Sequence, residues 1–226
     1  MHDLAAQLTR AIGDKQVFTD DLTLIASAAD AGCYRKIPRI VLKPSGEQQV
    51  REALRILHSN QIPVTFRAAG TSLSGQAISD SVLLQARGDR WKQFEIIENG
   101  RFIRTGPGIT GTRLNQVLAP FGRKFGPDPA SVNSAMVGGI IANNASGMSC
   151  GTHANSYSTI ESARIIFADG TLLDTADPRT VPAGVDDADP LLRDRRRRAG
   201  ALDALEAGAH VLVEKPITLD QDGFEK

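Results

Sequence analysis

The apolar positions of the chain change period several times, and each change marks an element. In residues 4–12, LAAQLTRAI, apolar side chains recur at helical spacing. Asp20 and Asp21 stand where a helix N-cap belongs, ahead of LTLIASAADAG, which closes at Gly32. From Arg39 the texture becomes that of a strand: Ile40-Val41-Leu42 is a continuous apolar run closed by Lys43-Pro44. Ser45, with Gln48 three residues on, reads as an N-cap, and Val50, Leu54 and Leu57 follow on one helical face. Ile62-Pro63-Val64-Thr65-Phe66 is the next strand. Residues 39–66 therefore predict strand–helix–strand, a βαβ unit with a parallel pair.

After a Gly/Ser loop, Val82-Leu83-Leu84 predicts a further strand. Phe94-Glu95-Ile96-Ile97 and Phe102-Ile103-Arg104 flank Asn99-Gly100, a strong hairpin signal. Thr110 to Leu118 predicts a helix with Leu114, Val117 and Leu118 on one face. Ile165-Ile166-Phe167 and Leu172-Leu173 flank Asp169-Gly170, a second hairpin. The fold class is α+β: a small βαβ subdomain, then a mixed, mainly antiparallel sheet with helices. Residues 1–36 read as a helical extension, 37–175 as the main domain and 176–198 as a linker. The linker ends in a basic run, Arg193 and Arg195 to Arg198. Residues 199–226 read as a helix–strand tail, with a helix over 199–207, Gly208 as C-cap and strand 211–213.

Composition narrows the function classes. The 226 residues carry 26 Lys+Arg and 26 Asp+Glu, a net charge of zero, which argues against a general nucleic-acid binder or a basic membrane-surface protein. Aromatics at 5 % argue against stacking platforms for single strands. Cys33 and Cys150 are the only cysteines, too few to hold an iron–sulfur cluster or a structural zinc, and free thiols are expected. No apolar run is long enough to span a bilayer, and residues 1–6 lack the pattern of a signal peptide. A soluble, cytoplasmic protein is the expectation.

Two loops could carry chemistry. Arg67-Ala68-Ala69-Gly70-Thr71-Ser72-Leu73-Ser74-Gly75-Gln76 follows a strand directly. Small residues let the backbone approach a ligand, successive N–H groups can form an anion nest, and the hydroxyls add neutral donors. A plain tight turn is the alternative. The second candidate begins at Gly126-Pro127-Asp128-Pro129-Ala130-Ser131 and continues through Val137 to Gly147 with little bulk. It suits a surface that packs closely on a flat or extended ligand; a Gly/Ala helix in a core is the alternative, against which Asn143-Asn144 speak. Gly106-Pro107-Gly108-Ile109-Thr110-Gly111 spells GxGxxG, but it follows a hairpin arm, and Pro107 removes a donor a phosphate would need. His58 reads as solvated and His153 as a turn residue.

At these loops the chain resembles a known family. Residues 39–175 resemble the FAD-binding domain of the vanillyl-alcohol oxidase / p-cresol methylhydroxylase flavoproteins. The branch is that of D-lactate dehydrogenase, glycolate oxidase and D-2-hydroxyglutarate dehydrogenase. The matching residues are Pro44, RAAGTSLSGQ (67–76), GPDPASVNSAMVGGIIANNASGMSCGTHANSY (126–157) and ESARIIFADGTLL (161–173). The resemblance implies that Ala68, Ala69, Gly70, Thr71, Ser72, Gly75 and Gln76 line the FAD pyrophosphate and ribityl region. It implies that Pro127, Asp128, Ala130 and Ser131 border the flavin. Gly138, Gly139, Asn143, Ser146 and Gly147 would cradle the diphosphate and adenosine end, with Ile160 and Ile165 near the adenine. Cys150 and His153 are the conceivable points of covalent attachment.

The implied activity is hydride transfer from a small 2-hydroxy acid to flavin; separately, no His/Cys/Asp set in the sequence has metal-ligand spacing, so no bound metal is expected. The electron acceptor is left open, an iron–sulfur partner or domain being one candidate, and an electron-transfer partner could hold the protein peripheral to a membrane. In members of the branch a substrate domain with a histidine base follows the stretch matched here. Residues 199–219 instead resemble the glucose–fructose oxidoreductase / inositol dehydrogenase family, Glu214-Lys215-Pro216 matching its lysine motif. That join suggests a chimeric reading frame. The other readings are a non-catalytic flavin- or nucleotide-binding fragment, a reductase of the UDP-N-acetylenolpyruvoylglucosamine type and a nicotinamide-dependent sugar dehydrogenase.

Overall fold

A computed structural model describes residues 2–151, 153–180 and the backbone of 217–218. The chain falls into two compact units, Met1–Trp91 with Ala168–Thr171, and Lys92–Phe167 with Leu172–Lys226. The architecture is α+β, as the sequence predicts.

In the first unit, helix α1 (His2–Ile12) and strand β1 (Val17–Phe18) precede the short helix α2 (Asp21–Ala26). Strand β2 (Ile40–Leu42), helix α3 (Glu47–Ser59), β3 (Val64–Arg67) and β4 (Val82–Gln85) complete it. The sheet order is β1-β2-β4-β3. Strand β4 pairs in parallel with both β2 and β3, and β1 closes the edge antiparallel to β2. The two strands of the predicted βαβ unit therefore run parallel without pairing. β4, fully buried along its length, takes the central place between them. Such a continuous apolar run suits a strand covered on both faces.

Helix α3 buries Val50, Ala53, Leu54 and Leu57 and packs against α1, whose Leu8 and Ile12 are buried. Its N-cap is Gly46 and not Ser45. Ser45 sits one residue outside the helix, where its N–H and hydroxyl both donate to Gln49 Oε1, at 2.7 and 2.9 Å. Asp20 does cap α2 by accepting from the Thr23 N–H at 2.9 Å, which holds its carboxyl below the usual carboxylate range. Helix α2 stops at Ala26, short of Gly32, and the Asp30 side chain then closes a separate turn by accepting from the Gly32 N–H. The turn at residues 168–171 lies on α3, with Arg51 Nε donating to Gly170 O at 3.0 Å.

The second unit holds the predicted hairpins. Strand β5 (Phe94–Ile97) pairs antiparallel with β6 (Phe102–Thr105) across Asn99 and Gly100, both at positive φ. Helix α4 (Gly111–Leu118), helix α5 (Val137–Ala142) and helix α6 (Ser156–Thr159) follow. Strands β7 (Arg164–Ile166) and β8 (Leu172–Asp174) form the second hairpin. Strand β9 (Ile217–Thr218) adds to β6. The predicted helix 199–207, strand 211–213 and Glu214-Lys215-Pro216 lie outside the described residues.

The core of this unit gathers Ile103, Leu114, Leu118, Phe125, Val137 and Ile140. Thr110 caps α4 by accepting from the Arg113 N–H at 3.3 Å. Thr110→Ala is expected to cost about 1 kcal/mol, the usual value of a hydroxyl N-cap, read as a lower denaturant midpoint at unchanged slope. No helix among the described residues is long and apolar enough to cross a membrane.

Candidate functional site

The loop after β3 is built from small residues because its chain must turn sharply twice. Gly70 lies at φ 77° and Gly75 at φ 72°, conformations a side chain strains. A Cβ on Gly70 would also fall 2.6 Å from Nη2 of Arg67. The Ser72 hydroxyl accepts from the Ser74 N–H at 3.2 Å and the Gln76 N–H at 3.4 Å, and donates to Gln76 Oε1. That turn leaves the N–H groups of Gly70, Thr71 and Ser72 without an acceptor among the described residues. Ala68 to Ser72 are half-buried, and Gln76 is exposed. Arg67, at the carboxyl end of β3, lies under this loop. Burial lowers its pKa and the nearby Arg87 adds to that, while Asp30 works in the opposite direction. The result is a row of unclaimed donors with no bulky side chain over them and a guanidinium behind them, an arrangement that suits a diphosphate.

In the second unit, Gly126 and Pro127 are buried, Asp128 and Ser131 are half-buried and Ala130 is exposed. Gly147 lies against the backbone of Asp128 so tightly that a Cβ would fall on its carbonyl group. The stretch read as a ligand-facing surface is, over residues 137–142, the helix α5, with Val137, Gly138, Ile140 and Ile141 buried. Three branched apolar side chains on six residues drive that burial. Gly138 packs on Pro107, and its N–H donates to Pro107 O at 2.9 Å. Val137 N–H donates likewise to Ile109 O. The GxGxxG look-alike thus supplies carbonyls to the start of a helix, and its Gly111 packs on Val132.

Beyond α5 the chain is open. Asn143 and Ser146 are exposed, Gly139 and Gly147 half-buried. Asn144, at φ 43°, accepts from the Tyr157 N–H through Oδ1 at 3.0 Å. The Ser156 hydroxyl reaches the carbonyls of Ile140 and Ala145 at 3.1 and 2.9 Å. Ile160 and Ile165 lie in the core, at 1 % and 0 % exposure. Cys150 is buried with its thiol directed at the carbonyls of Gly147 and Gly151, whereas His153 is exposed. Cys33 is exposed and both thiols are free. No group of three His, Cys, Asp or Glu side chains among the described residues could hold a metal ion.

Each unit therefore presents one stretch of small residues, and the sequence singled out both. Arg67 was quoted there only as the first letter of a loop; its signal was a charged residue at the end of an otherwise half-buried strand. Asp30, two residues before Gly32, was legible as a turn former.

Residues 38–176 match the family described as FAD binding domain. The chain belongs to this family. FAD is accordingly its cofactor, and the small-residue loops fit it. Among curated proteins, this FAD-binding domain is 34% identical over 135 residues to the glycolate oxidase subunit GlcD of Escherichia coli K12, covering 58% of this chain and 27% of that protein. It is 27% identical over 165 residues to the D-2-hydroxyglutarate dehydrogenase of Haemophilus influenzae, covering 70% of this chain and 16% of that protein. The chain thus spans about a quarter or less of the length of these relatives. Among solved structures, the 6-hydroxy-D-nicotine oxidase of Arthrobacter nicotinovorans shares the fold with a TM-score of 0.68 at 21% identity, over 90% of this chain and 42% of that one.

Proposed function

We propose that this chain is the FAD-binding part of a dehydrogenase of 2-hydroxy acids such as glycolate, D-lactate or D-2-hydroxyglutarate. The observation that supports it is the half-buried row of small residues with unclaimed N–H groups, Gly70 to Ser72, inside the stretch that matches the family. Relatives that share this stretch are named for 2-hydroxy acids. Bound FAD supplies the acceptor for the hydride on the substrate's C2. The chain's own residues bind and orient the cofactor. Ala68, Ala69, Gly70, Thr71, Ser72, Gly75 and Gln76 would hold its phosphate and ribityl region, and Pro127, Asp128, Ala130 and Ser131 would border the ring. Gly138, Gly139, Asn143, Ser146 and Gly147 would hold the diphosphate and adenosine end, with Ile160 and Ile165 near the adenine. The proton of the C2 hydroxyl needs a base. An iron–sulfur partner or domain would take the electrons onward.

The purified protein is expected to show a flavin absorbance band that leaves with the supernatant on acid precipitation, because the buried Cys150 thiol is committed to carbonyls. A band that stays in the pellet would place a covalent link, with His153 the exposed candidate. Absence of a band even after FAD is added would overturn the reading. A second reading is a part that binds FAD without turning over substrate. A yellow protein that fails to reduce a dye with any of the three acids would select it.

A further inference from the structure

The family match begins at residue 38, yet the loop after β3 is held by residues that come before it. We propose that residues 27–32, acting through Asp30 and the Arg67 guanidinium, are a positioning element that keeps the FAD-binding loop in its ligand-ready shape. The proposal rests on the FAD reading above. Arg67 Nη1 donates to the carbonyls of Ser27 at 3.2 Å and Ala29 at 2.8 Å. The Ala31 N–H donates to Gly70 O at 3.0 Å. Gly32 approaches the loop so closely that a Cβ there would lie 2.7 Å from Leu73 O. Asp30 Oδ1 makes that approach possible by accepting from the Gly32 N–H at 2.8 Å and closing the turn. One short segment thus grips the loop at Arg67, Gly70 and Leu73.

The charges are arranged for geometry more than for stability. Asp30 Oδ2 and Arg67 Nε are both buried and have no hydrogen-bond partner among the described residues. Leaving such groups unmatched is costly, and proteins tolerate it where a fixed arrangement is needed. Here the arrangement puts the guanidinium under Gly70, with Nη2 2.6 Å from where a Cβ would be. The positive charge is thereby held close to the loop at Gly70, where its field favours an anion bound to the loop. Burial and the nearby Arg87 disfavour the charged guanidinium, and Asp30 favours it.

The test compares the full chain with Arg67→Met, Arg67→Lys and Asp30→Asn. FAD affinity is read by flavin fluorescence titration and folding by the thermal midpoint of the FAD-free protein. Arg67→Met is expected to weaken FAD binding at least tenfold, and Arg67→Lys, which returns the charge without the fork, to recover part of it. Asp30→Asn is expected to weaken binding severalfold. A merely structural role would lower the midpoint while the folded fraction bound FAD with unchanged affinity, and Lys would do no better than Met; that result overturns the proposal. Should Arg67→Met not fold, Asp30→Asn decides alone, since it leaves both Arg67–carbonyl bonds in place, and unchanged affinity sinks the idea. If the unmodified chain takes up no FAD, the FAD reading falls and the proposal with it. If it binds FAD and all three variants bind equally well, only the proposal falls.

Discussion

Gly147→Ala is expected to lower the thermal midpoint by about 4–12 °C, from a destabilisation of roughly 2–3 kcal/mol at about 2–4 °C per kcal/mol for a chain of this size. The same change is expected to abolish most flavin binding. The added methyl would fall on the carbonyl group of Asp128. Backbone atoms cannot rotate away as a side-chain tip can. Pro127 and Pro129 flank Asp128 and fix two backbone angles there, so the strain cannot be absorbed locally. The segments around residues 128 and 147 must then separate, and both carry residues expected to border the cofactor. Met148→Ala, at a fully exposed side chain next door, is the control and is expected to stay within about 0.5 kcal/mol. Differential scanning calorimetry and the flavin-to-protein absorbance ratio check both halves. A midpoint and ratio equal to those of the unmodified chain would show that the close approach at Gly147 is not present in solution.

The second large effect is expected at Phe125. Phe125→Ala should cost about 3–5 kcal/mol, the range for emptying a buried aromatic site. Phe125 is 1 % exposed and is among the largest fully buried side chains of the second unit. It packs with Ile103, Leu114, Leu118 and Ile140, contributed by a strand and two helices, so no single element can collapse into the gap. Its N–H donates to Asn115 Oδ1 at 2.7 Å, and that bond survives substitution, so the loss reports on the ring alone. Phe125→Leu, which keeps most of the volume, should lose less than half as much. A loss of 3–5 kcal/mol is a large share of the roughly 5–15 kcal/mol that holds a domain folded. The alanine variant is therefore expected to accumulate mainly in inclusion bodies, and urea unfolding of the soluble fraction measures the rest. A shift below about 1 kcal/mol would mean that the core rearranges freely around the site.

Local chemistry was enough to place most elements. Asn99-Gly100 and Asp169-Gly170 predicted hairpins, and the structure has them, with positive φ at Asn99, Gly100 and Gly170. The periodic apolar faces at 4–12, 50–57 and 114–118 became helices that bury those same side chains. Val17-Phe18 escaped notice, since two residues carry no period, and only pairing with β2 makes them a strand. For the stretch 137–142 the sequence left two readings open, a ligand-facing surface and a Gly/Ala helix in a core, and the chain there is a helix with four buried residues. Its lack of bulk suggested a surface, while the few large side chains it has are enough to sink a short helix into the core.

What the sequence determined by itself is the set of segments and the family they spell: small residues after a strand, a Pro-stiffened turn and a Gly/Asn stretch in one order. Those are local requirements for close backbone approach, and they show as composition. What only the tertiary structure decided is which partner each segment meets. Strand β4 lies between β2 and β3, Pro107 covers Gly138, Gly147 rests on Asp128, and the turn at 27–32 holds Arg67 and the loop above it. These contacts join residues far apart in the chain through distances and buried surface, quantities that no window of the sequence contains.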